Sequence, residues 1–436
     1  MIYFVPAWDE TAVKDMISHY YSRLFPFEAM QKWLSYGDLD YFGRREFSFT
    51  LQGGIYSRYN CFGSLEQFRN EVCKKSPQKI DIGAVYNTSP AHHARVQQFE
   101  PLEKEMVFDI DATDYADVLL ETEPGSSLTS TRTWPWMVVC VQVLDHVLRN
   151  DFGFKHVLFV YSGRRGVHCW VADRRARQMS NSARSAIVDY LHVLVGSSAG
   201  EGGGSGGAQQ VLQSLRSPLH PTLQWAYDKV LLPMFEDTIV TEQHLLTRPN
   251  HIDRVLSFAS SDARQAALRK WAANEPPANA SKDVLSRISA ERWQSVRATL
   301  EKEFMSNGAM RGYANPVQAV VFSYTYPRLD VNVSKQLNHL LKSPFVIHPS
   351  TGFVCVPFTA QQAPDFKPED VPAVGALLNE LDTVKGDASR TKLQPYVDLF
   401  IRAFVEPLNR EEQIARNVKP ERTVKDEGDH MQVDDW

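Results

Sequence analysis

Cysteine is scarce in this chain of 436 residues. The five present, Cys61, Cys73, Cys140, Cys169 and Cys355, are odd in number and form no C-x-x-C pair. A disulfide framework is therefore not expected, and a reducing intracellular compartment is. Long apolar runs are missing too. No stretch of about eighteen consecutive apolar residues occurs, so no membrane-spanning helix is predicted. The opening residues Met1 to Pro6 carry no basic segment, which argues against a signal peptide. Excess positive charge is also absent: 47 Lys and Arg stand against 52 Asp and Glu, a net −5. That excludes a protein held to nucleic acid by bulk charge alone. Part of the deficit sits in Lys419 to Trp436, which is net −3, leaving the remainder near neutral at −2. No internal repeat is visible.

What is present is ordinary globular material, 43% hydrophobic and 23% charged, long enough for two or three domains. Glu10 to Leu24 has apolar residues at helical spacing, and Pro26 separates it from a second short helix ending near Tyr36. Arg44 to Leu51 alternates, with Phe47, Phe49 and Leu51 on one face and Glu46, Ser48 and Thr50 on the other. A Gln-Gly-Gly turn then leads to a returning strand, Ile55 to Tyr59, which predicts a hairpin. Lys79 to Tyr86 and Met106 to Asp111 read as strands, and 121–133 as a Pro/Ser/Thr-rich loop. Trp136 to Asn150 reads as a helix. Val157 to Tyr161 and Val167 to Val171 read as strands around a Gly-Arg-Arg-Gly turn, and Ser180 to Val195 as a helix. Residues 196–209, seven of them glycine, form a flexible linker without the pattern of a phosphate loop. Residues 210–310 are mostly helical in pattern and suggest a lobe inserted into an α/β core. Pro327 to Ser334 alternates as a strand would. Val346 to Val356 predicts a hairpin around Pro349 to Gly352. The tail, 417–436, is acidic and expected to be disordered.

Three segments could carry chemistry. On a strand, Asp109 and Asp111 of Val-Phe-Asp-Ile-Asp point to one face, about 7 Å apart, while Phe108 and Ile110 point into the core. Such a pair can converge on divalent ions that serve phosphoryl transfer, although an isolated D-x-D is more often a solvated strand edge and decides nothing alone. Asp330, on the polar face of the alternating segment Pro327 to Ser334, would add a third carboxylate. In Ser162-Gly163-Arg164-Arg165-Gly166-Val167-His168, two glycines allow a tight turn that displays two arginine forks suited to phosphate oxygens. His168 follows on the strand. His339 and Lys342, three apart, would share one face of a helical turn.

These segments together resemble the small catalytic subunit of eukaryotic-type DNA primase. The likeness runs from near residue 15 to near residue 360. It includes Tyr20 to Pro26, Arg45 to Thr50, Lys79 to Tyr86, Val107 to Asp111, Ser162 to His168, and Arg328 through Pro349. The resemblance implies an α/β fold of the archaeo-eukaryotic primase type: a catalytic core of mixed sheets flanked by helices. Residues 1–195 and 311–416 would form the two parts of that core, with the helical lobe inserted. It implies a DNA-dependent RNA polymerase that makes short primers on single-stranded DNA for replication. By position, Asp109, Asp111 and Asp330 look like the family's triad for Mg²⁺ or Mn²⁺. Ser162, Arg164, Arg165 and His168 resemble the triphosphate-gripping turn. His339, Lys342 and His348 look like the opposite wall of that pocket. Glu46 and Arg58 resemble further catalytic and nucleotide-binding residues. If Glu46 and Arg58 line one pocket, the hairpin needs a three-residue turn, Gln52 to Gly54, because a two-residue turn would put them on opposite faces.

One departure from the family is large. Its four zinc-binding cysteines have no counterpart in Leu119 to Trp136, and Cys140, His146 and His156 supply no zinc spacing. The structural zinc is expected to be absent. The resemblance further implies a large iron–sulfur primase subunit, the replicative DNA polymerase alpha complex, a single-stranded DNA template, RNA primer and nucleoside triphosphates as partners, no membrane, and the nucleus as location. A repair-type primase-polymerase and an inactive assembly subunit stand as alternatives. The intact three-aspartate set argues against the second.

Overall fold

The computed structural model describes residues 10–119, 133–193, 208–306 and 315–417. The 121–133 loop apart from Thr133, the glycine-rich stretch apart from 208–209, and the tail after Asn417 lie outside them. Residues 208–209 already belong to a helix, Ala208–Ser214.

Alternation builds two antiparallel sheets. The first contains β1 (Arg45–Thr50), β2 (Tyr56–Asn60), β3 (Lys79–Tyr86) and β4 (Pro101–Glu103) in the order β2-β1-β3-β4. The second is formed by β5 (Met106–Asp111), β6 (Val157–Tyr161) and β7 (Gly166–Val171). A short β8 (Leu341–Lys342) joins the first sheet beside β3, and β9 (Pro357–Phe358) extends the second beyond β6. The result is a mixed α and β fold whose sheets are flanked by helices.

Each sheet has one apolar face. Phe47 and Phe49 of β1 pack into an aromatic cluster with Phe62 and Phe68, leaving Glu46 and Ser48 on the other side. On the apolar side of the second sheet, Tyr161 of β6 meets Trp134 edge-to-face at 5.9 Å. Trp170 of β7, on the same side as His168, meets Trp33 of the helix Phe27–Ser35 edge-to-face at 5.4 Å, and Phe400 and Phe404 close over Trp33. Burying such rings supplies most of the drive to assemble these layers. The helix Trp134–His146 is apolar nearly all round and buried accordingly. Residues 208–306 contribute only helices, the longest being Lys282–Ser306. Arg254 ties this stretch to the segment after β5 through Asp117, at 2.9 Å. No helix among the described residues is long and apolar enough to cross a membrane.

The β1–β2 hairpin has the three-residue turn. Leu51 N–H donates to Ile55 at 2.8 Å, and Thr50 pairs with Tyr56 and Phe49 with Ser57. Gly53 and Gly54 both take φ +75°, a conformation that only glycine adopts without strain. The register then slips so that Phe47 pairs with Asn60, which sets Arg58 and Tyr59 together opposite Ser48. The hairpin at 346–356 also forms, with Cys355 N–H donating to Val346 and His348 N–H to Phe353.

Two expectations fail. Pro327 to Ser334 is not a strand: Asp330 caps a short helix, Val331–Lys335, accepting from the Asn332 N–H at 3.0 Å. An aspartate that can bond the backbone two residues on favours a helix start, and this overrides a short alternating pattern. His339 and Lys342 do not share a helical turn. Residues 336–340 form an irregular turn, and Lys342 enters β8, opposite Asp81. Pro344 disfavours helix just before it, and the open edge of β3 offers a ladder instead.

Candidate active site

The polar faces of the two sheets supply the side chains. On the second sheet, Asp109 and Asp111 project together while Phe108 and Ile110 are fully buried. Asp109 pairs with His168 across the ladder, and Asp111 with Gly166. Asp330 is brought alongside by its backbone, its N–H donating to the Asp109 carbonyl at 3.1 Å. Burial pushes the Asp109 carboxyl up to about 7; the Lys342 ammonium opposes this, while Asp111 and Asp330 add to it. Asp114 feels the same cluster and is pushed up to about 6 by burial, then by Asp111 and Asp330. The carboxylates are thus close enough to repel.

The Ser162–Gly166 turn packs against them. Ser162 closes it, its Oγ accepting from the Gly166 N–H at 3.0 Å. Both glycines are sterically required. A Cβ on Gly166 would lie 2.3 Å from the Ile110 carbonyl oxygen. One on Gly163, at φ +86°, would lie 2.6 Å from the His348 Cβ. Arg165 donates from Nε to Asp111 at 2.7 Å, joining the cationic turn to the acidic strand. Lys342 donates to the Ser162 carbonyl at 2.7 Å, and Thr351 clasps the Gly163 carbonyl at 2.6 Å. Arg164 forms no ion pair among the described residues. His348 accepts from the Ser350 N–H at 3.2 Å. Burial, then Lys342, Arg164, Lys79 and Arg165, hold its imidazole down to about 3. Four cations therefore converge on His348, and of these only Arg165 forms an ion pair among the described residues, with Asp111. His168 lies deeper, 3.6 Å from Asp109, held well below the usual histidine range by burial and Lys342, and its Nδ1 has no hydrogen-bond partner among the described residues.

The first sheet forms the facing wall. Glu46 is fully buried and accepts from Arg58 Nε at 2.8 Å, Arg58 Nη2 at 3.1 Å and the Tyr86 hydroxyl at 3.0 Å. Its oxygens are committed to orienting Arg58. Ser48 donates to Asp81 at 2.9 Å, and Asp81 lies opposite Lys342 in the ladder. His339 is half-buried near Lys104, Asp330 and Arg58, and burial lowers its pKa.

Sequence reading missed Asp81, Lys79, Asp114 and Thr351. Period-two alternation in Lys79 to Tyr86 was the available signal for the first two, since Lys79 and Asp81 share the face of Glu46 and Ser48 once β1 and β3 pair. Cys140, His146 and His156 do not assemble. They contact Tyr115, Trp225 and Glu411 respectively. Two clefts of about 760 and 640 Å³ adjoin residues 365–367, and no residue of this site lines them.

Residues 108–360 match the DNA primase small subunit family. A DNA primase small subunit from Drosophila melanogaster is 37% identical over 87% of this chain and 84% of its own length. The chain belongs to the DNA primase small subunit family. The Schizosaccharomyces pombe small subunit is 36% identical over 83% of this chain and 77% of its own length. That of Saccharomyces cerevisiae is 32% identical over 94% and 95%. The chain is accordingly a primase, a nucleotidyltransferase that makes RNA primers, and one subunit of a primase complex. Catalysis in this family is metal-dependent in general terms.

Among the described residues, no three His, Cys, Asp or Glu side chains form a ready-made metal cluster. Asp111 is engaged by Arg165 and by Thr113, and Asp330 by its own helix. The donor set still suits a hard divalent ion. It consists of carboxylates on adjoining backbones, mutually repelling and partly buried, and oxygen ligands of this kind are what Mg²⁺ and Mn²⁺ take.

Proposed function

We propose that this site polymerises ribonucleotides on a single-stranded DNA template, with Asp109, Asp111 and Asp330 holding Mg²⁺ or Mn²⁺. The observation that carries the reading is the Arg165–Asp111 contact, where a cationic cluster short of an anion abuts a carboxylate cluster short of a cation. A metal–triphosphate complex completes both halves at once. When bound, the ions supply Lewis-acid activation of the attacking hydroxyl and neutralise the triphosphate.

The chain's own residues do the rest. Arg164, Arg165, Lys342 and the Gly166 turn grip phosphate oxygens, exchanging the Arg165–Asp111 contact for phosphate and metal contacts. His348 and His168, neutral by burial, donate from N–H without adding charge. Glu46 fixes Arg58 on the opposite wall, and His339 approaches from the turn beside it. Held between two walls, the α-phosphorus is presented for in-line attack.

We further propose that residues 1–195 and 311–416 form one core into which the helical 210–310 is inserted. The likeness extends over both core parts. A large iron–sulfur subunit, the polymerase alpha complex and a nuclear location suit a replicative primase of this eukaryotic type.

The test is incorporation of labelled ribonucleoside triphosphates on unprimed single-stranded DNA, alone and with a large primase subunit, with Mg²⁺ or Mn²⁺. Short RNA products, lost in an Asp109→Ala/Asp111→Ala variant, are expected. Extension of a supplied primer without initiation would favour a repair polymerase. No synthesis of either kind would favour an inactive assembly subunit.

A further inference from the structure

Lys104 lies in the two-residue link between β4 and β5 and is completely buried. A buried ammonium is expensive unless paired. Lys104 has no ion pair among the described residues, although Glu105 follows it directly. The Glu105 carboxylate instead receives both ends of the Arg45 guanidinium, at 2.9 Å each, and the Tyr36 hydroxyl. The Lys104 Nζ donates to the backbone carbonyl of His339. Burial, then Arg184, pushes the amine down to about 7.

The post itself is rigid. The Lys104 N–H donates to the Arg177 carbonyl at 3.1 Å, and its own carbonyl accepts from Arg184. Arg184 also reaches the Glu105 carbonyl at 3.2 Å. The turn it reaches is loosely made. Within residues 336–340, the His339 N–H meets the Gln336 carbonyl at 3.4 Å, and the Leu337 N–H is taken by Asn181 at 3.0 Å. Beyond it, β8 contributes only the pairs Asp81 with Lys342 and Ile82 with Leu341. Leu340 fits because residue 83 is glycine; a Cβ there would stand 2.7 Å from its Cδ2. A methionine at 104 would fill the same space without the desolvation cost, so the distinctive contribution of the amine is its hydrogen bond to the turn.

We infer that Lys104 is a positioning residue for the incoming nucleotide. From the link that leads into the Asp109 strand, it holds the His339 carbonyl, and with it the turn that presents His339 and Lys342. It thereby sets the distance between the phosphate-gripping side chains and the carboxylates. The inference rests on the assignment of His339 and Lys342 to the nucleotide pocket.

The experiment measures KM and kcat for ribonucleoside triphosphates in the complex with a large primase subunit. Lys104→Met, Lys104→Gln, His339→Ala, Lys342→Ala and the double variant Lys104→Met/His339→Ala are compared, each with its melting temperature. Lys104→Met is expected to raise KM about five- to thirty-fold, the worth of one buried hydrogen bond. Its kcat should stay within about twofold and its melting temperature should not fall. Lys104→Gln, which keeps a donor, should recover part of the loss. In the double variant the two effects should be less than additive. An unchanged KM in Lys104→Met, beside raised values in His339→Ala and Lys342→Ala, overturns this inference and leaves the pocket standing. A joint fall of kcat, affinity and melting temperature assigns Lys104 to folding alone and also overturns it. Unchanged KM in His339→Ala and Lys342→Ala removes the pocket assignment, and the inference falls with it.

Discussion

Arg165 Nε stands 2.7 Å from Asp111 Oδ1, so the turn that meets phosphates is bonded to the strand that meets metal. The contact has a directional fork on one side and a partly exposed carboxylate on the other. Replacing Arg165 by lysine keeps the charge but loses the planar fork. Arg165→Lys is expected to lower kcat/KM about ten- to hundredfold, the range of a charge-assisted hydrogen bond. Steady-state kinetics with a ribonucleotide substrate checks this, and near-parental activity would show that the fork is not needed.

Asp330 has two duties that one substitution separates. Asparagine caps a helix about as well as aspartate, so Asp330→Asn should leave the melting temperature within a few degrees. It removes the charge, and activity should fall about a hundredfold or more. Retained activity in Asp330→Asn would remove it from the metal set.

The glycines divide into two classes. Ala at Gly166 or Gly163 drives a Cβ into the Ile110 carbonyl or the His348 Cβ, so either variant should lose nucleotide affinity at least tenfold. Ala at Gly53 or Gly54 meets no atom within 4 Å. There the positive φ alone acts, costing about 1 kcal/mol of stability with affinity unchanged. Fluorescent-nucleotide titration beside urea unfolding distinguishes the two classes.

Glu46 is predicted to act through Arg58. Glu46→Ala strands a guanidinium about one-third exposed and a tyrosine hydroxyl, and should cost about 1–3 kcal/mol. KM should rise more than kcat falls, because the arginine loses its aim. A fall in kcat at constant KM would instead place Glu46 among the reacting groups.

Lys104 gives a pH dependence with a definite sign. Its amine releases its proton near 7 in the folded chain and near 10.5 when unfolded. Between those values the unfolded state binds more protons, so this group's contribution to stability rises with pH. The groups facing it are Arg184, Glu105, Arg45 and Glu46. Urea unfolding at pH 7 and pH 9.5 should show the parent gaining stability relative to Lys104→Met. A constant difference would mean that Lys104 stays charged in the fold.

Much of the site was readable because it lies on strands. Alternation around Asp109 and in β1 is local and has a period of two, so it states which side chains face together before any partner is known. The hairpin has the three-residue turn that a shared pocket for Glu46 and Arg58 requires, but the register slip between Phe47 and Phe49 that follows it was not legible in the sequence. Asp330 and His339 were misplaced in their local conformation, the first because a bond to its own near neighbour outweighed alternation, the second because its segment meets a distant strand edge. A cap bond decided the first, and the free edge of β3 decided the second.

The residue types, their strand faces and the glycine turns were determined by sequence, since backbone sterics and side-chain periodicity act over a few neighbours. Tertiary structure alone decided that Asp330 lies against Asp109, that Lys342 lies opposite Asp81, and that Lys104 reaches His339. These partners are separated by more than two hundred residues of chain. Nothing local encodes such pairings; they arise when burial of the apolar faces brings the two sheets together and leaves their polar faces to find one another.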